Sequence, residues 1–181
     1  DHMVLWVPFA LVRGIQIIRE YGIQTVYVSS PPHSTQLIGC LLKKFTGVTL
    51  IADFRDPIVG NVYDTTFKAT SLRSRIERRL KVGLERLIVA HADRIVVNTE
   101  THRKEMSERY GKDTFVTIRN SFDEDDYQGM EVRRYDAFTI AHVGGIYGLR
   151  RPDVLFRAVK RLERMRTPES LRLQVIFVGL N

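Results

Sequence analysis

Short runs of apolar, often β-branched residues alternate along this chain with longer stretches of helical period. The runs at 25–28, 48–52, 94–98, 115–119, 137–143 and 173–178 are apolar nearly throughout. Strands of a parallel sheet with helices on both faces read this way. The stretch 9–21 places Leu11, Ile15 and Ile18 on one helical face. A second helix is predicted over 34–45, capped by Ser34 or Thr35. A long one follows over 71–91. Thr99 opens another that runs to Tyr110, with Gly111 as its C-cap. The last has Pro152 in its first turn, where a missing N–H costs little, and runs to about Met165. Strand–helix alternation at this spacing predicts right-handed βαβ units in a doubly wound α/β fold. The acidic stretch 123–136, with Gly129 inside it, marks the boundary. The domains expected are therefore 4–124, a linker at 125–136, and 137–181. The first opens on a helix and the second stops after one βαβ unit. Both are expected to be incomplete, because doubly wound domains carry roughly five or six parallel strands.

Along 71–91, Leu72, Ile76, Leu80, Leu84 and Leu87 recur at helical spacing and form one stripe. Arg75, Arg78, Arg79, Lys81 and Arg86 lie mainly on the other side. This predicts a stripe packed inward and a basic face left to solvent, or attached to anionic lipid headgroups. Composition extends that choice. With 28 Lys and Arg against 21 Asp and Glu, the net charge is +7, which suits phosphorylated ligands, anionic lipid or nucleic acid. Nucleic acid is set aside, since no recognition module or aromatic stacking platform is present. No apolar run reaches the roughly 18–20 residues that span a bilayer. The single cysteine, Cys40, cannot form an internal disulfide and lies among Leu37, Ile38, Leu41 and Leu42. It is expected to be a small core residue in a reducing, cytoplasmic setting. The start shows no signal-peptide pattern, and Asp1-His2-Met3 reads as a leftover of cloning.

Ligands of open α/β sheets bind beyond the carboxyl ends of the strands, so the residues there are the candidates. The first strand leads into Ser29-Ser30-Pro31-Pro32-His33-Ser34, the second into Asp53-Phe54-Arg55-Asp56-Pro57. The third leads into Asn98-Thr99-Glu100 and the fourth into Asn120-Ser121-Phe122-Asp123. Asp53, Arg55 and Asp56 either form a self-paired ionic cluster or face a cleft and orient a hydroxyl-rich substrate. His33, Asn98, Thr99 and Asn120 are expected to line that cleft. The fifth strand carries His142 near its end. It runs into Gly144-Gly145-Ile146-Tyr147-Gly148-Leu149-Arg150-Arg151-Pro152. Glycines admit a ligand close to the backbone, a helix start favours phosphate, and arginine offers a charged fork. Gly144, Gly145, Arg150 and Arg151 therefore suit a diphosphate. Asp123-Glu124-Asp125-Asp126 has no metal-ligand companions and reads as a solvated acidic turn, and the histidines do not form a metal set.

Three segments carry a resemblance. "VYVSSPPHSTQLIGCLLKKFTGVTLIADFRDP" resembles the second half of the N-terminal domain of family 4 glycosyltransferases, especially those of bacterial surface-polysaccharide synthesis. "ADRIVVNTE" with "VTIRNSFD" resembles the end of that domain. "FTIAHVGGIYGLRRPDVLFRAV" resembles the start of the donor-binding domain. The resemblance implies Rossmann-like parallel sheets with flanking helices, of the two-domain GT-B type and incomplete. It also implies transfer of a sugar from a nucleotide-sugar donor to a saccharide or lipid-linked acceptor, with retention. No metal or other cofactor is implied, because arginines and backbone N–H groups can meet the leaving diphosphate. Gly144 and Gly145 fall on the family's glycine loop, and Arg150 where the family carries a Lys or Arg for the diphosphate. Some members have histidine in place of Arg55. Arg119 and Ser121 replace a proline and a glycine around Asn120. The family's paired glutamates would lie beyond Asn181, about eight residues apart, so the chain alone is expected to be inactive. The location implied is cytoplasmic, at the inner face of the membrane. Two other readings remain at this stage: a sugar-nucleotide epimerase on the same scaffold, and a non-catalytic α/β module docking on lipid or a protein partner. The open sheet edges of an incomplete domain also invite self-association.

Overall fold

The computed structural model describes residues 2–60, 70–131, 134–146, 151–165 and 172–179. It divides into two units, Asp1–Phe122 and Asp123–Asn181. In the first, β1 (Thr25–Ser30), β2 (Thr49–Phe54), β3 (Arg94–Val97) and β4 (Phe115–Thr117) pair in parallel, in the order of the chain. Helix α1 (Val7–Tyr21) precedes β1. Helices α2 (Ser34–Thr46), α3 (Leu72–His91) and α4 (Glu100–Tyr110) make the three crossovers. Gly22, Gly47 and Gly111 end α1, α2 and α4 in the left-handed conformation, which glycine adopts without a steric penalty. Thr99 caps α4 as the sequence suggested, accepting from the His102 N–H. The start of α2 differs. Ser34 is its first helical residue and His33 holds the cap position. The Thr35 hydroxyl instead donates to the carbonyls of Pro32 and Ser29.

The helices all pack against strand residues of one parity. Val26, Leu50, Ala52, Phe54, Ile95, Val97 and Phe115 share two adjoining apolar clusters with side chains of α1, α2, α3 and α4. Successive strand residues point to opposite faces. The set Thr25, Tyr27, Ser29, Ile51, Asp53, Val96 and Val116 therefore lies on the face that no described helix covers. Tyr27 is 56% exposed and Val116 43%. The doubly covered sheet expected from the continuous apolar runs is thus half realised among the described residues: three consecutive neighbour-to-neighbour crossovers of one hand put every helix on one side. Cys40 is a buried core residue, and burial pushes its thiol up to about 11.

Helix α3 corrects a second expectation. Only Glu85, Ile88 and Val89 of its side chains are buried, whereas Leu72 is 71% exposed, Ile76 51% and Leu80 68%. A 20-residue helix is about 30 Å long, whereas the four residues of β3 span about 13 Å. The helix outruns the sheet, and at 100° per residue its three buried side chains lie opposite the stripe of Leu72, Ile76 and Leu80, which therefore faces outward. The buried end is held by Glu85. Its carboxylate accepts from Arg109 at 2.9 Å, the Tyr110 hydroxyl at 2.6 Å and the Val59 N–H at 3.0 Å. Those contacts tie the β2–α3 loop, α3 and α4 together, and burial, with the Glu85 carboxylate beside it, pushes the Tyr110 phenol up to about 12.

The second unit holds β5 (Phe138–Val143) and β6 (Leu173–Val178), paired in parallel and joined through α5 (Asp153–Arg164). A 3-10 turn, Asp125–Tyr127, precedes them. None of the described side chains of this unit is fully buried. No described helix of the chain is long and apolar enough to cross a membrane.

Candidate functional site

The carboxyl ends of β1 and β2 are locked by hydrogen bonds that run across the sheet. Register pairs Ser29 with Asp53 and Ser30 with Phe54. Alternation then sends Phe54 into the core and Asp53 to the uncovered face. Ser29 Oγ donates to Asp53 Oδ2 at 2.8 Å. From the covered side, the buried Gln36 donates to the carbonyls of Val28 at 2.9 Å and Asp53 at 3.0 Å. Ser30 Oγ also donates to the Asp53 carbonyl. The Asp53 backbone is thereby fixed from one face while its carboxylate is presented on the other. Gln36 is absent from the residues singled out above. Its signal was a polar side chain on the helical face of Gly39 and Cys40, where α2 is otherwise apolar.

Arg55 is held by its backbone: its N–H donates to the Ser30 carbonyl, and its own carbonyl accepts from Asn98 Nδ2 at 2.7 Å. Its side chain is exposed, as is that of Asp56. Two adjoining hollows of about 410 Å³ each open here. Ser29, Arg55, Asn98 and Asn120 line both. Asp53, Tyr27 and Arg119 belong to the first and Asp56 to the second. The sequence-predicted Asp53, Arg55, Asp56, Asn98 and Asn120 are therefore brought together. Thr99 and His33 are not among the lining residues; the Thr99 hydroxyl is used in capping α4. Tyr27 is an addition: alternation puts it on the face of Ser29, and the pairing of β1 with β2 brings it to Asp53. Partial burial and the Asp53 carboxylate raise its phenol above the ordinary value. The hollow combines a carboxylate, two guanidinium groups, two amides and hydroxyls. That set can bind a polyol through several hydrogen bonds and can meet an anionic substituent.

In the second unit, Gly144 follows β5 with φ +128°, a conformation that side chains rarely adopt, and its N–H donates to the Val178 carbonyl at 2.7 Å. A Cβ on Gly179 would stand 2.5 Å from the Gly144 carbonyl oxygen, so two backbones touch here. Gly145 lies beside them. Arg151 is bonded to Asp153 at 2.9 Å, and that bond lowers the Asp153 pKa. Arg150 lies outside the described residues. The His142 ring rests on Phe177, with centroids 5.9 Å apart, and its Nε2 is buried without a hydrogen-bond partner. On α3, Arg75, Arg79 and Arg86 are exposed, Arg78 and Lys81 half-buried, and Lys81 stands 3.4 Å from Glu77. The acidic turn at 123–126 is exposed, with Asp123 accepting the Asp125 N–H.

Comparison with characterised proteins supplies a direction. The chain matches no protein-family model. It is similar to proteins named D-inositol 3-phosphate glycosyltransferase. In Geodermatophilus obscurus the identity is 31% over 121 residues, covering 61% of this chain and 27% of the relative. In Salinispora tropica it is 36% over 110 residues, covering 52% and 23%. In Kineococcus radiotolerans it is 32% over 106 residues, covering 52% and 24%. The chain thus matches about a quarter of the length of these relatives. The similarity is to glycosyltransferases, and the relatives' name is not that of a surface-polysaccharide enzyme.

Proposed function

We propose that this chain is part of a glycosyltransferase that takes a sugar from a nucleotide-sugar donor and passes it, with retention, to a hydroxyl-rich acceptor. The observation that carries the reading is the set Ser29, Asp53, Arg55, Asn98 and Asn120, drawn from four strand ends into one hollow. That is where parallel α/β sheets bind their ligands. The first unit holds the acceptor side in this reading. Asp53, fixed from behind by Gln36, orients an acceptor hydroxyl. Arg55 and Arg119 suit an anionic group, so a polyol phosphate like the one in the relatives' name joins the saccharide and lipid-linked acceptors as a substrate class. Gly144, Gly145, Arg150 and Arg151 form the start of the donor diphosphate site in the second unit, and the reaction needs no metal. The chain by itself does not turn over, and its place is cytoplasmic, at the inner face of a membrane.

Backbone NMR shift mapping on the chain tests this. Inositol 3-phosphate is expected to move the signals of Ser29, Asp53, Arg55 and Asn98, and Asp53→Asn to weaken that binding by about tenfold, the loss of one charge-assisted hydrogen bond. Uridine or guanosine diphosphate is expected to move Gly144, Gly145 and Arg151. Shifts in neither set at saturating ligand would falsify the reading.

A further inference from the structure

The outward half of α3 is a surface with an unusual composition. At 100° per residue, Leu72, Ile76, Leu80 and Leu87 fall within one quadrant of the helix, and that quadrant faces away from the core formed by Glu85, Ile88 and Val89. All four are exposed. Arg75, Arg79 and Arg86 border the stripe on one side and Arg73 on the other, and all four are exposed. Among the described residues, none of these arginines is paired with a carboxylate. The carboxylates of the helix lie elsewhere: Glu85 is buried, and Glu77 is half-buried beside Lys81.

We infer that this face of α3 binds the surface of an anionic lipid bilayer, with the Leu and Ile side chains among the acyl chains and the arginines at the headgroups. The occupant follows from charge. A helix lying in a membrane interface needs an apolar strip flanked by cations, and this strip has them on both edges without an intervening anion. A second copy would fit poorly, because symmetric pairing of the same faces brings two rows of arginine together. The helix is also placed to serve the hollow. Each crossover helix starts at the carboxyl edge of the sheet, so Leu72 and Ile76, in its first turns, lie toward the edge where Asp53 and Asn98 are found. The inference deepens the membrane placement in the proposed function by naming the surface that makes it, and it does not rest on the transfer chemistry.

Co-sedimentation of the chain with vesicles tests it, using phosphatidylcholine mixed with phosphatidylglycerol against phosphatidylcholine alone. Binding is expected to the mixed vesicles only and to fall with added salt. The double variant Arg75→Gln/Arg79→Gln is expected to bind about thirtyfold more weakly, at about 1 kcal/mol for each arginine near the surface. The double variant Ile76→Ser/Leu80→Ser is expected to lose at least as much. Both pairs are exposed, and an unchanged circular dichroism melt shows that the fold is kept. Equal binding to both vesicle types, binding to neither, or variants that bind like the parent chain would each overturn the inference. So would a parent dimer, seen by sedimentation equilibrium, that Ile76→Ser/Leu80→Ser makes monomeric with no change in vesicle binding. That result would make the stripe an interface between copies.

Discussion

The two units are built from the same βαβ grammar and reach different ends. In the first, four strands and four helices enclose Leu50, Ala52, Phe54, Ile58, Ile88, Ile95 and Val97. In the second, two strands and one helix leave every described side chain at least partly wet. Phe156, Phe177 and His142 make ring contacts there, but Phe156 and Phe177 remain exposed. The difference is one of number rather than of sequence quality. The runs in β5 and β6 are as apolar as those in β2 and β3. A strand pair with one crossover offers a single helix and a single neighbour to each strand, which is too little to exclude water. A second neighbour changes that: β2 and β3 each have a strand on both sides and helices above.

The largest test of this contrast is the pair of substitutions Phe54→Ala and Phe177→Ala. The first removes a fully buried ring and is expected to cost about 3–5 kcal/mol. The second removes a ring that is 38% exposed, at about 1 kcal/mol. Unit-resolved amide exchange checks both, and equal losses would break the comparison. Next comes Glu85→Ala, which strands the Tyr110 hydroxyl and the Val59 N–H. It is expected to cost about 2–3 kcal/mol, at the low end for a buried pair because Arg109 is partly exposed. The loss should appear in the exchange of α3 and α4 and leave β5 and β6 unchanged. The smallest effect is a pH dependence. His102 is buried, neither ring nitrogen has a hydrogen-bond partner, and burial lowers its pKa against the opposing pull of Glu85 and Glu105. A depressed histidine pKa means that the unfolded chain binds the proton first. Stability of the first unit is then full above about pH 6.5 and falls below it, by at most about 1.4 kcal/mol per pH unit. His102→Leu should flatten that slope in a series of urea titrations. A slope of the same size in the variant would assign it to other groups.

Much of the site was legible because strand ends can be read from hydrophobic runs. Asp53, Arg55, Asn98 and Asn120 each follow such a run, and register did the rest by setting Ser29 against Asp53. Tyr27 and Gln36 were not singled out, since each matters through a neighbour that is distant along the chain. Thr99 shows the reverse case: a polar residue at a strand end is also the natural cap of the next helix, and capping took its hydroxyl.

Local pattern therefore determined the elements, their order, the parallel pairing and the cluster of polar strand ends, because period, capping and crossover hand act over a few residues. Which faces those elements bury was decided only in three dimensions. The stripe of α3 has the period of a core-facing helix, yet the opposite face, with Glu85, Ile88 and Val89, is the one that packs, and the stripe points outward. The runs of β1 and β4 read as doubly buried, yet one face stays open. Burial depends on what stands opposite, and the period of a segment does not contain that.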